Sequence, residues 1–551
     1  MQIALFQHNY IINDIENNVR IIKESIATAR KSNVDLVVFS ELSICGYPPH
    51  DLLEREEFVD RCISAVKEIA KECVDIAAIV GAPSINPEGS GKQLYNSAFF
   101  LEGGRIADIH HKGLLPTYDI FDEYRYFEPC REFHTTTYKG SRLAITICED
   151  IWDDQPVTTR FGKSRLYPIS PMEALSKQSP DIIINIAASP YSNDINQRRK
   201  EVFLSNVGRY GLPVVYVNQV GANTDLVFDG NSMVVNGNGE VVYQLKSFME
   251  DSLVVDTNQL QSAIPCPIIE SNRIESIHEA LVLGIRDYFR KMGFKKATLG
   301  LSGGIDSAVV LCLAAKAIGS ENIRVLLMPS RYSSDHSVKD AKDLAENHNI
   351  QHDIVGIEPM VSAFEDTLAP IFKDHPSDIT EENIQARIRG TLLMALSNKF
   401  GNLLLNTTNK SEAAVGYGTL YGDMNGAISV LGDVYKTDVF LLARYINRNG
   451  EIIPTNTIVK PPSAELRPDQ KDSDSLPDYD TLDAILFRYI EQQASIDEIL
   501  AEGFDRNLVR RVTFLVDSNE YKRFQFAPIL RVSSKAFGAG RRLPLVARFN
   551  R

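Results

Sequence analysis

One stretch decides the fold of the second half of this chain: Gly300-Leu301-Ser302-Gly303-Gly304-Ile305-Asp306-Ser307. Residues 296–300 are predicted to form a short strand, and residues 307–318 are predicted to form an apolar helix. The stretch would therefore turn from strand into helix, and its glycines would let a ligand approach the backbone closely. Free N–H groups and the positive dipole end at the start of the helix favour anionic oxygens. The sequence predicts α/β structure with an anion-binding turn at this point.

The pattern of this loop narrows the ligand. It lacks the Lys-Ser/Thr pair of a Walker A loop and is not Gly-x-Gly-x-x-Gly. It resembles the Ser-Gly-Gly-x-Asp-Ser loop of ATP pyrophosphatases, which cleave ATP between its α and β phosphates while activating a carboxyl or carbonyl oxygen. The resemblance implies that all eight residues from Gly300 to Ser307 bind ATP as co-substrate. An aspartate among phosphates needs a cation, most simply Mg²⁺, so Asp306 is a predicted metal ligand. The alternative is an ordinary glycine-rich turn.

Length and composition bound the class of protein. A chain of 551 residues exceeds the roughly 250–300 residues that one core supports, so at least two domains are expected. A net charge of −14 argues against a nucleic-acid partner, and the longest apolar runs are too short for a membrane span. The N-terminus shows no basic leader, and seven cysteines without paired spacing favour a reducing, cytoplasmic location. Without a Cys-x-x-Cys or His-x₃-His pair, no structural zinc is expected.

The order of strand-like and helix-like segments predicts two α/β domains joined by a linker. Residues 1–255 alternate buried strands with helices and end in a hairpin-like pair. Residues 256–273 lose periodicity and are predicted to be the linker, and residues 274–551 repeat a strand–helix rhythm. The polar stretch 460–479 is predicted to be either a disordered loop or a lid over substrate.

Three segments of the first domain place a reactive side chain at or just after a predicted strand end: Glu41, Lys112 and Cys148. Each alone has a structural explanation, as a surface acid, a loop lysine or an inert buried thiol. Together they resemble the Glu-Lys-Cys triad of the nitrilase superfamily in chain order and spacing. This resemblance implies an αββα sandwich in which Cys148 attacks an amide or nitrile carbon and Glu41 accepts its proton. Lys112 would stabilise the thiolate and the oxyanion.

Two further stretches, residues 114–127 and 188–191, resemble the glutamine amidotransferase branch of that superfamily. The resemblance implies that Tyr118 and Ser189 help to hold glutamine. Members of that branch usually have a lysine or arginine six residues after this serine, where the present chain has Ile195. Either Arg198 or Arg199 substitutes for it, or glutamine is held differently.

The second domain contains more specific runs than its ATP loop, namely Asn409-Lys-Ser-Glu412 and Tyr417-Gly-Thr-Leu-Tyr-Gly-Asp423. They resemble NAD⁺ synthetase domains, and the whole chain resembles the glutamine-dependent NAD⁺ synthetase family. The resemblance implies a Rossmann-like domain with a central parallel sheet, paired into a homo-oligomer. It also implies site roles: Thr407 for ATP, Asp306 and Glu412 for Mg²⁺, and Asn383, Glu412 and Lys522 for deamido-NAD⁺. Lys436 would neutralise phosphate charge, whereas Arg387 and Arg389 are two apart and cannot form one clamp.

The resemblance implies synthesis of NAD⁺ from deamido-NAD⁺ (nicotinic acid adenine dinucleotide). ATP would adenylate the nicotinate carboxyl, and ammonia released from glutamine at Cys148 would displace AMP. Because free ammonia is largely protonated in water, an internal passage for it is a hypothesis with a chemical reason. Two alternatives remain. One is a different carboxyl-activating amidotransferase, which the run 415–423 disfavours, and the other is a nucleotide sensor without turnover.

Overall fold

A computed structural model of the chain describes residues 1–153, 166–266, 272–468, 470–474 and 476–549. The chain divides into two compact units, Met1–Glu270 and Ser271–Arg551. The stretch expected to be a linker begins within the first unit, because a 3₁₀ helix at Thr257–Ser262 buries Leu260 in the core. Residues 267–271 of that stretch lie outside the described residues. Within the described ranges, no helix has the length and apolarity needed to cross a membrane.

The first unit contains two six-stranded sheets and a two-stranded ribbon. Its strands are β1 Gln2–Gln7, β2 Leu36–Val38, β3 Ala77–Ile85, β4 Leu94–Glu102, β5 Arg105–His111, β6 Thr136–Tyr138, β7 Ser141–Ile147, β8 Ile182–Ala187, β9 Val214–Asn218, β10 Val220–Asn223, β11 Leu226–Asp229, β12 Met233–Val235, β13 Val241–Gln244 and β14 Asp251–Asp256. Its helices are α1 Ile15–Lys31, α2 Glu56–Ala70, α3 Pro171–Ser176 and α4 Ile195–Tyr210.

The two large sheets of the first unit pack face to face. Their strand orders are β14-β1-β2-β3-β4-β5 and β13-β12-β9-β8-β7-β6, so β5 and β6 are edge strands. Alternate residues of β1, such as Ile3 and Leu5, share one core with Ile145 and Ile184 of the second sheet. The intervening residues pack against α1 and α2, while α4 contributes to the core of the second sheet. This is the predicted αββα sandwich, with apolar residues on both faces of its strands because both faces are covered.

The second unit contains a five-stranded parallel sheet flanked by helices. Its strands are β15 Ala297–Gly300, β16 Ile323–Leu327, β17 Gln351–Ile354, β18 Leu403–Asn406 and β19 Ile428–Ser429. Its helices are α5 Arg273–Met292, α6 Ile305–Ile318, α7 Asp335–Asn347, α8 Glu358–Phe372, α9 Ile379–Phe400, α10 Lys410–Val415, α11 Lys436–Ile446, α12 Thr455–Val459, α13 Tyr479–Leu486, α14 Ile496–Ala501, α15 Arg506–Ser518 and α16 Glu520–Arg523.

Strand order explains why the glycine-rich loop is well placed to bind a ligand. The order is β17-β16-β15-β18-β19, so the chain leaves β15 toward one edge and later returns to build the other edge. In such a sheet the crevice for ligands opens at the carboxyl end of the strand where the order reverses. That strand is β15, and the loop from Leu301 to Gly304 follows it directly. The predicted Rossmann-like sheet is therefore confirmed.

Candidate active sites

The fold brings together the three reactive side chains of the first unit. Glu41, Lys112 and Cys148 follow the ends of β2, β5 and β7, which belong to both sheets. Lys112 and Glu41 are fully buried, and Lys112 Nζ lies 2.7 Å from Glu41 Oε1. The charges of both residues act on the thiol of Cys148. The structure thus assembles the predicted trio in one buried polar pocket.

Further donors fix the carboxylate of Glu41. The Asn96 amide donates to Oε1 at 2.7 Å, and the backbone N–H of Ala188 donates to Oε2 at 2.9 Å. Buried carboxylates need such partners, because water cannot reach them. The orientation of Glu41 is therefore set by β4 and by the segment after β8, and not by Lys112 alone.

Glu123 is a fourth member of this cluster, to which the sequence analysis gave no role. Its two oxygens lie 2.9 and 2.8 Å from Lys112 Nζ, and the Tyr47 hydroxyl donates to Oε1 at 2.9 Å. Burial raises the pKa of Glu123 despite the neighbouring ammonium. Burial alone would lower the pKa of Lys112, but Glu123 and Glu41 raise it well above its usual range. Lys112 thus stays charged, and two carboxylates fix its position.

Cys148 occupies a constrained turn. Its φ of 44° lies in the left-handed region, and it begins a 3₁₀ helix at Cys148–Ile151. Asp150 holds the turn, since its carboxylate accepts from the N–H groups of Ile147, Gly113 and Leu114 at 3.0, 2.8 and 2.9 Å. Asp150 therefore joins the turn at Cys148 to the segment that follows Lys112. A strained backbone held by such contacts is typical of reactive centres.

The protonation state of Cys148 follows from its surroundings. Burial raises the pKa of the thiol, Glu41 raises it further, and Lys112 offsets only part of this effect. The thiol is therefore protonated at neutral pH in the free protein. A nucleophile in this state needs a base to remove its proton as it attacks, and Glu41 is a carboxylate in the same pocket.

Tyr118, a predicted glutamine contact, lies beside a carboxylate next to Cys148. Its hydroxyl donates to Glu149 Oε1 at 2.9 Å, and the Tyr167 hydroxyl donates to the same oxygen at 2.8 Å. Sequence reasoning gave no role to Glu149. The only sequence signal for Glu149 was its position directly after Cys148, because a turn that positions one residue also positions the next.

Ser189 and the two arginines of α4 have separate surroundings. Arg199 is fully buried, donates to the Ser189 carbonyl at 2.8 Å and pairs with Asp229 at 2.8 Å. Arg199 thus supports the backbone of Ser189. Arg198 is half exposed, and its charge acts on both Tyr118 and Glu149. Arg198 and Arg199 were the two candidates to replace the basic residue missing at Ile195. Of these two, only Arg198 is accessible and acts on both Tyr118 and Glu149.

In the second unit, the loop between β15 and α6 has the predicted strand–turn–helix form. Gly303 has φ of +80°, and a Cβ there would lie 2.2 Å from the Ser337 carbonyl oxygen, so this position requires glycine. The helix begins at Ile305, two residues earlier than predicted. Ser307 therefore lies in the first turn, where its hydroxyl donates to the Gly304 carbonyl at 3.0 Å. The side chains of Leu301 and Ile305 are buried, so only the backbone groups of these two residues are placed to contact a ligand at the loop.

A cluster of charges lies behind this loop. Lys436 pairs with Asp306 and lies 3.4 Å from Glu412, while Asn409 donates to the other Asp306 oxygen at 2.9 Å. Burial raises the pKa of Glu412, and the charge of Asp306 raises it further. Asp472 acts on the same ammonium. Three carboxylates, those of Asp306, Glu412 and Asp472, thus act on the position that the Lys436 ammonium takes, and carboxylate oxygens are also the ligands that Mg²⁺ prefers.

The other predicted residues of the second unit fall into two places. Thr407 directly follows β18, next to the strand that ends at the glycine-rich loop. Asn383 accepts from the Thr419 hydroxyl at 2.7 Å, and Lys522 donates to the carbonyls of Gly416 and Gly418 at 2.7 and 2.8 Å. Asn383 and Lys522 therefore converge on the segment that follows α10, the helix that contains Glu412.

Arg387 and Arg389 point to different partners. Arg387 donates to the Leu420 carbonyl at 3.2 Å, whereas Arg389 donates to the Met328 carbonyl at 3.1 Å. Their separation by two positions on α9 predicts this divergence. They do not form one clamp.

The polar stretch 460–479, of which residues 469 and 475 lie outside the described residues, contacts the segment around Ser334 and Ser337. The Glu465 carboxylate accepts from the hydroxyls of Ser334 and Ser337 at 2.8 Å each. A 3₁₀ helix at Asp472–Asp474 follows, and the Tyr479 hydroxyl donates to Asp472 at 2.8 Å. Since Ser337 also contacts the Gly303 position, this stretch lies beside the glycine-rich loop.

Comparison with known proteins matches each of the two units to a protein family. Residues 2–267 match the carbon-nitrogen hydrolase family, and residues 277–526 match the NAD synthase family. A glutamine-dependent NAD(+) synthetase from Synechocystis sp. is 44% identical, with 100% of this chain and 99% of the relative covered. One from Acinetobacter baylyi is also 44% identical, with 99% and 98% covered.

Solved structures extend this similarity. The glutamine-dependent NAD⁺ synthetase from Acinetobacter baumannii, in complex with ADP, is 40% identical with a TM-score of 0.77, covering 99% of this chain and 98% of that one. A synthetase from Cytophaga hutchinsonii, 22% identical with a TM-score of 0.82 over 99% of this chain and 98% of that one, supports the fold. With both units matched along their whole length, this chain belongs to the glutamine-dependent NAD⁺ synthetase family.

Proposed function

We propose that this chain synthesises NAD⁺ from deamido-NAD⁺, ATP and glutamine, releasing AMP, pyrophosphate and glutamate. The observation that supports this most strongly is the contact of Lys112 Nζ with Glu41 at 2.7 Å beside Cys148. Burying a lysine between two carboxylates is costly, and in the first unit this group lies next to a thiol. It suits the release of ammonia from an amide, which the second unit then uses.

The first half-reaction takes place at Cys148. Glu41 accepts the thiol proton while sulfur attacks the side-chain amide carbon of glutamine, forming a C–S bond. The Lys112 ammonium stabilises the negative charge that develops on the amide oxygen. Glu41 then returns the proton to the amide nitrogen. The C–N bond breaks, ammonia departs, and a thioester between Cys148 and the glutamyl group remains. Water, activated by the same carboxylate, hydrolyses the thioester and releases glutamate.

Recognition of glutamine involves the groups around Glu149. A carboxylate held by the hydroxyls of Tyr118 and Tyr167 is suited to the α-ammonium group of glutamine. The Arg198 guanidinium, whose charge acts on Glu149, is suited to the α-carboxylate. Ser189, whose backbone is fixed by Arg199, is the remaining predicted contact. We therefore favour Arg198 as the substitute for the basic residue missing at Ile195.

The second half-reaction takes place around the loop from Gly300 to Ser307. The carboxylate of deamido-NAD⁺ attacks the α-phosphorus of ATP, so a P–O bond forms and pyrophosphate leaves. Backbone N–H groups of the loop and the start of α6 bind the phosphates, with Thr407 beside them. Mg²⁺ held by Asp306 and Glu412 would neutralise phosphate charge, and Lys436 would add to that neutralisation. Ammonia then attacks the adenylated carboxyl and displaces AMP.

Deamido-NAD⁺ would contact Asn383, Glu412 and Lys522, which lie around α10 and the segment after it. We also propose that the protein is a homo-oligomer. Apolar side chains are exposed on α8 and α9, including Ile371 at 69% and Ile379 at 68%, and a second copy of this chain would cover them. Seven free thiols are typical of a cytoplasmic protein, which is the location we propose.

The proposal is tested by assaying NAD⁺ formation from deamido-NAD⁺, ATP and Mg²⁺ with either glutamine or ammonium as the nitrogen source. NAD⁺ and AMP should form with both. If NAD⁺ formed with ammonium alone, the synthetase part of the proposal would stand and the glutamine site would be contradicted. If neither source gave NAD⁺, a different amidotransferase or a nucleotide sensor would replace this proposal, and product analysis with other carboxylates would separate the two.

A further inference from the structure

A second cluster of ionisable side chains lies outside both candidate active sites, where the two sheets of the first unit meet at their edges. Asp108 and His110 are alternate residues of the edge strand β5. His134 lies two residues before Thr136, the first residue of the edge strand β6 in the other sheet. Residues two apart on a strand face the same side. Each edge thus presents a pair of polar side chains to the other.

Distances within this cluster are short. His134 Nε2 lies 2.9 Å from Asp108 Oδ1, and His110 Nε2 lies 3.5 Å from Asp108 Oδ2. His110 Nε2 is also 2.7 Å from the Thr136 hydroxyl, and the two imidazole rings stack with centroids 4.4 Å apart. One ligand atom from each of Asp108, His110 and His134 lies within 4.8 Å of the others. Among the described residues, no other three His, Cys, Asp or Glu side chains converge in this way.

We propose that Asp108, His110 and His134 bind one divalent transition-metal ion of the Zn²⁺ class. Zinc bonds of roughly 2.0–2.2 Å in a tetrahedral site separate ligand atoms by about 3.3–3.5 Å. The three ligand atoms lie within 4.8 Å of one another, but the distances of 2.9 and 3.5 Å run to different oxygens of Asp108. The planes of the two stacked imidazoles are only 21° apart, so the half-exposed His134 ring has to rotate for both nitrogens to face one ion. Two imidazole nitrogens and one carboxylate oxygen suit Zn²⁺ and its first-row neighbours better than Mg²⁺ or Ca²⁺.

Burial differs among the three ligands in a way that suits ion entry. His110 is buried, Asp108 is partly exposed, and the His134 side chain is half exposed. The buried imidazole and the carboxylate would provide fixed ligands, while His134 leaves a path from solvent and a fourth position for water. Such an ion would connect the edges of the two sheets. It would also hold β5 two residues before Lys112, and so stabilise the strand that ends at the proposed catalytic lysine.

The spacing of residues along the chain could not have suggested this site. Zinc motifs in sequence place their ligands in close pairs such as Cys-x₂-Cys or His-x₃-His. Here the pair Asp108 and His110 comes from one sheet and His134 from the other, twenty-four residues later in the numbering. Only the approach of the two edge strands brings the three side chains together. The expectation of no zinc site was based on local spacing alone.

Isothermal titration with Zn²⁺ tests this site directly. The full chain should be used in a Cys148→Ala background with excess Mg²⁺, so that neither the thiol nor the Asp306–Glu412 pair competes for zinc. We expect one equivalent to bind, and His134→Ala to weaken binding by about 10–100-fold or more. His375→Ala changes an exposed histidine of the second unit and should leave binding unchanged. Equal zinc affinity in His134→Ala and the parent would overturn the proposal.

Thermal unfolding provides a second readout that does not depend on activity. Zn²⁺ should raise the Tm of the parent, because an ion bound to the folded state stabilises it, and should not raise that of His134→Ala. Co²⁺ should give visible ligand-field bands that disappear in His110→Gln as well. If His134→Ala lowers the Tm without metal while Zn²⁺ leaves the parent unchanged, the cluster is only a hydrogen-bonded connection between the sheets and the proposal is wrong.

Discussion

The two candidate active sites both pair a buried lysine with two carboxylates, but they differ in how open they are. In the first unit, Lys112 is fully buried between the carboxylates of Glu41 and Glu123, so the charged groups of the pocket are paired before any substrate arrives. In the second unit, Ser302 is exposed, and Gly304 and Asp306 are partly exposed. The difference follows the substrates that we propose. A neutral side-chain amide needs a pre-formed nucleophile and base, whereas a polyphosphate brings charges that an open, donor-rich loop must bind.

The largest expected effect separates the two sites through one substitution in each. Cys148→Ala removes the nucleophile, so glutamine-dependent NAD⁺ synthesis should fall by about 10⁴–10⁶-fold, while synthesis from high ammonium should persist. Asp306→Ala acts on carboxyl activation, which precedes use of either nitrogen source. It should reduce both reactions by about 10²–10³-fold. Steady-state rates with each nitrogen source measure both effects.

Glutaminase activity measured alone provides the control for this pair. Asp306→Ala should still hydrolyse glutamine, and both variants should keep the circular dichroism spectrum of the parent. If Cys148→Ala also abolished the ammonium reaction while folding normally, the division of labour between the units would be wrong.

The buried pocket of the first unit, formed by Glu41, Lys112, Cys148 and Glu123, is called the closed pocket below. A substitution of Glu123 tests how far this pocket depends on its second carboxylate. Two carboxylates hold the Lys112 ammonium, and Glu123→Gln removes the charge of one of them. The two oxygens of Glu123 lie 2.9 and 2.8 Å from Lys112 Nζ. Misplacing a catalytic group by about 1 Å can cost about 10²-fold, so kcat/KM for glutamine should fall by about that factor. The ammonium reaction should not change. Tyr47→Phe removes only a donor to Glu123 and should have a smaller effect. Unchanged glutamine kinetics in Glu123→Gln would mean that Glu41 alone positions Lys112.

A pH profile of alkylation tests the protonation state of the closed pocket. Since burial and Glu41 raise the pKa of Cys148, the thiolate is the minor form at neutral pH. Below the pKa of a thiol, each pH unit raises the thiolate fraction about tenfold. Inactivation by iodoacetamide should therefore accelerate about tenfold per unit between about pH 6 and 8, without a plateau. Cys148→Ser corrects for the other cysteines. A plateau near neutral pH would show a resting thiolate and remove the need for Glu41 as base.

The same comparison shows which parts of each site the sequence could predict. The glycine-rich loop is local, so its strand, turn and helix follow from adjacent residues, including the glycine at Gly303. The closed pocket is assembled from strand ends of two sheets. Its triad was predictable from a family resemblance, but the role of Glu123 was not, because it depends on which buried charge this carboxylate meets. For Glu149 the sequence offered only its position directly after Cys148. Helix α6 begins two residues earlier than expected, a difference of the size by which helix bounds commonly vary.

Position Ile195 illustrates that limit and leads to the smallest predicted effect. Sequence spacing left Arg198 and Arg199 equivalent, whereas the structure buries Arg199 against Asp229 and leaves Arg198 half exposed, where its charge acts on Glu149. Arg198→Ala should therefore raise the KM for glutamine about tenfold, the scale of one charged hydrogen bond, with little change in kcat. The ammonium reaction should be unaffected.

Arg209→Ala, an exposed arginine in the last turn of α4, is the matched control and should leave the KM for glutamine unchanged. Arg199→Ala should instead lower the folding stability of the first unit, because it leaves Asp229 buried without its ion pair. A KM for glutamine that does not respond to Arg198→Ala would exclude this arginine as the α-carboxylate contact. Glutamine would then be held without a basic side chain from α4, and the recognition half of the closed pocket would have to rest on Tyr118, Glu149 and Ser189.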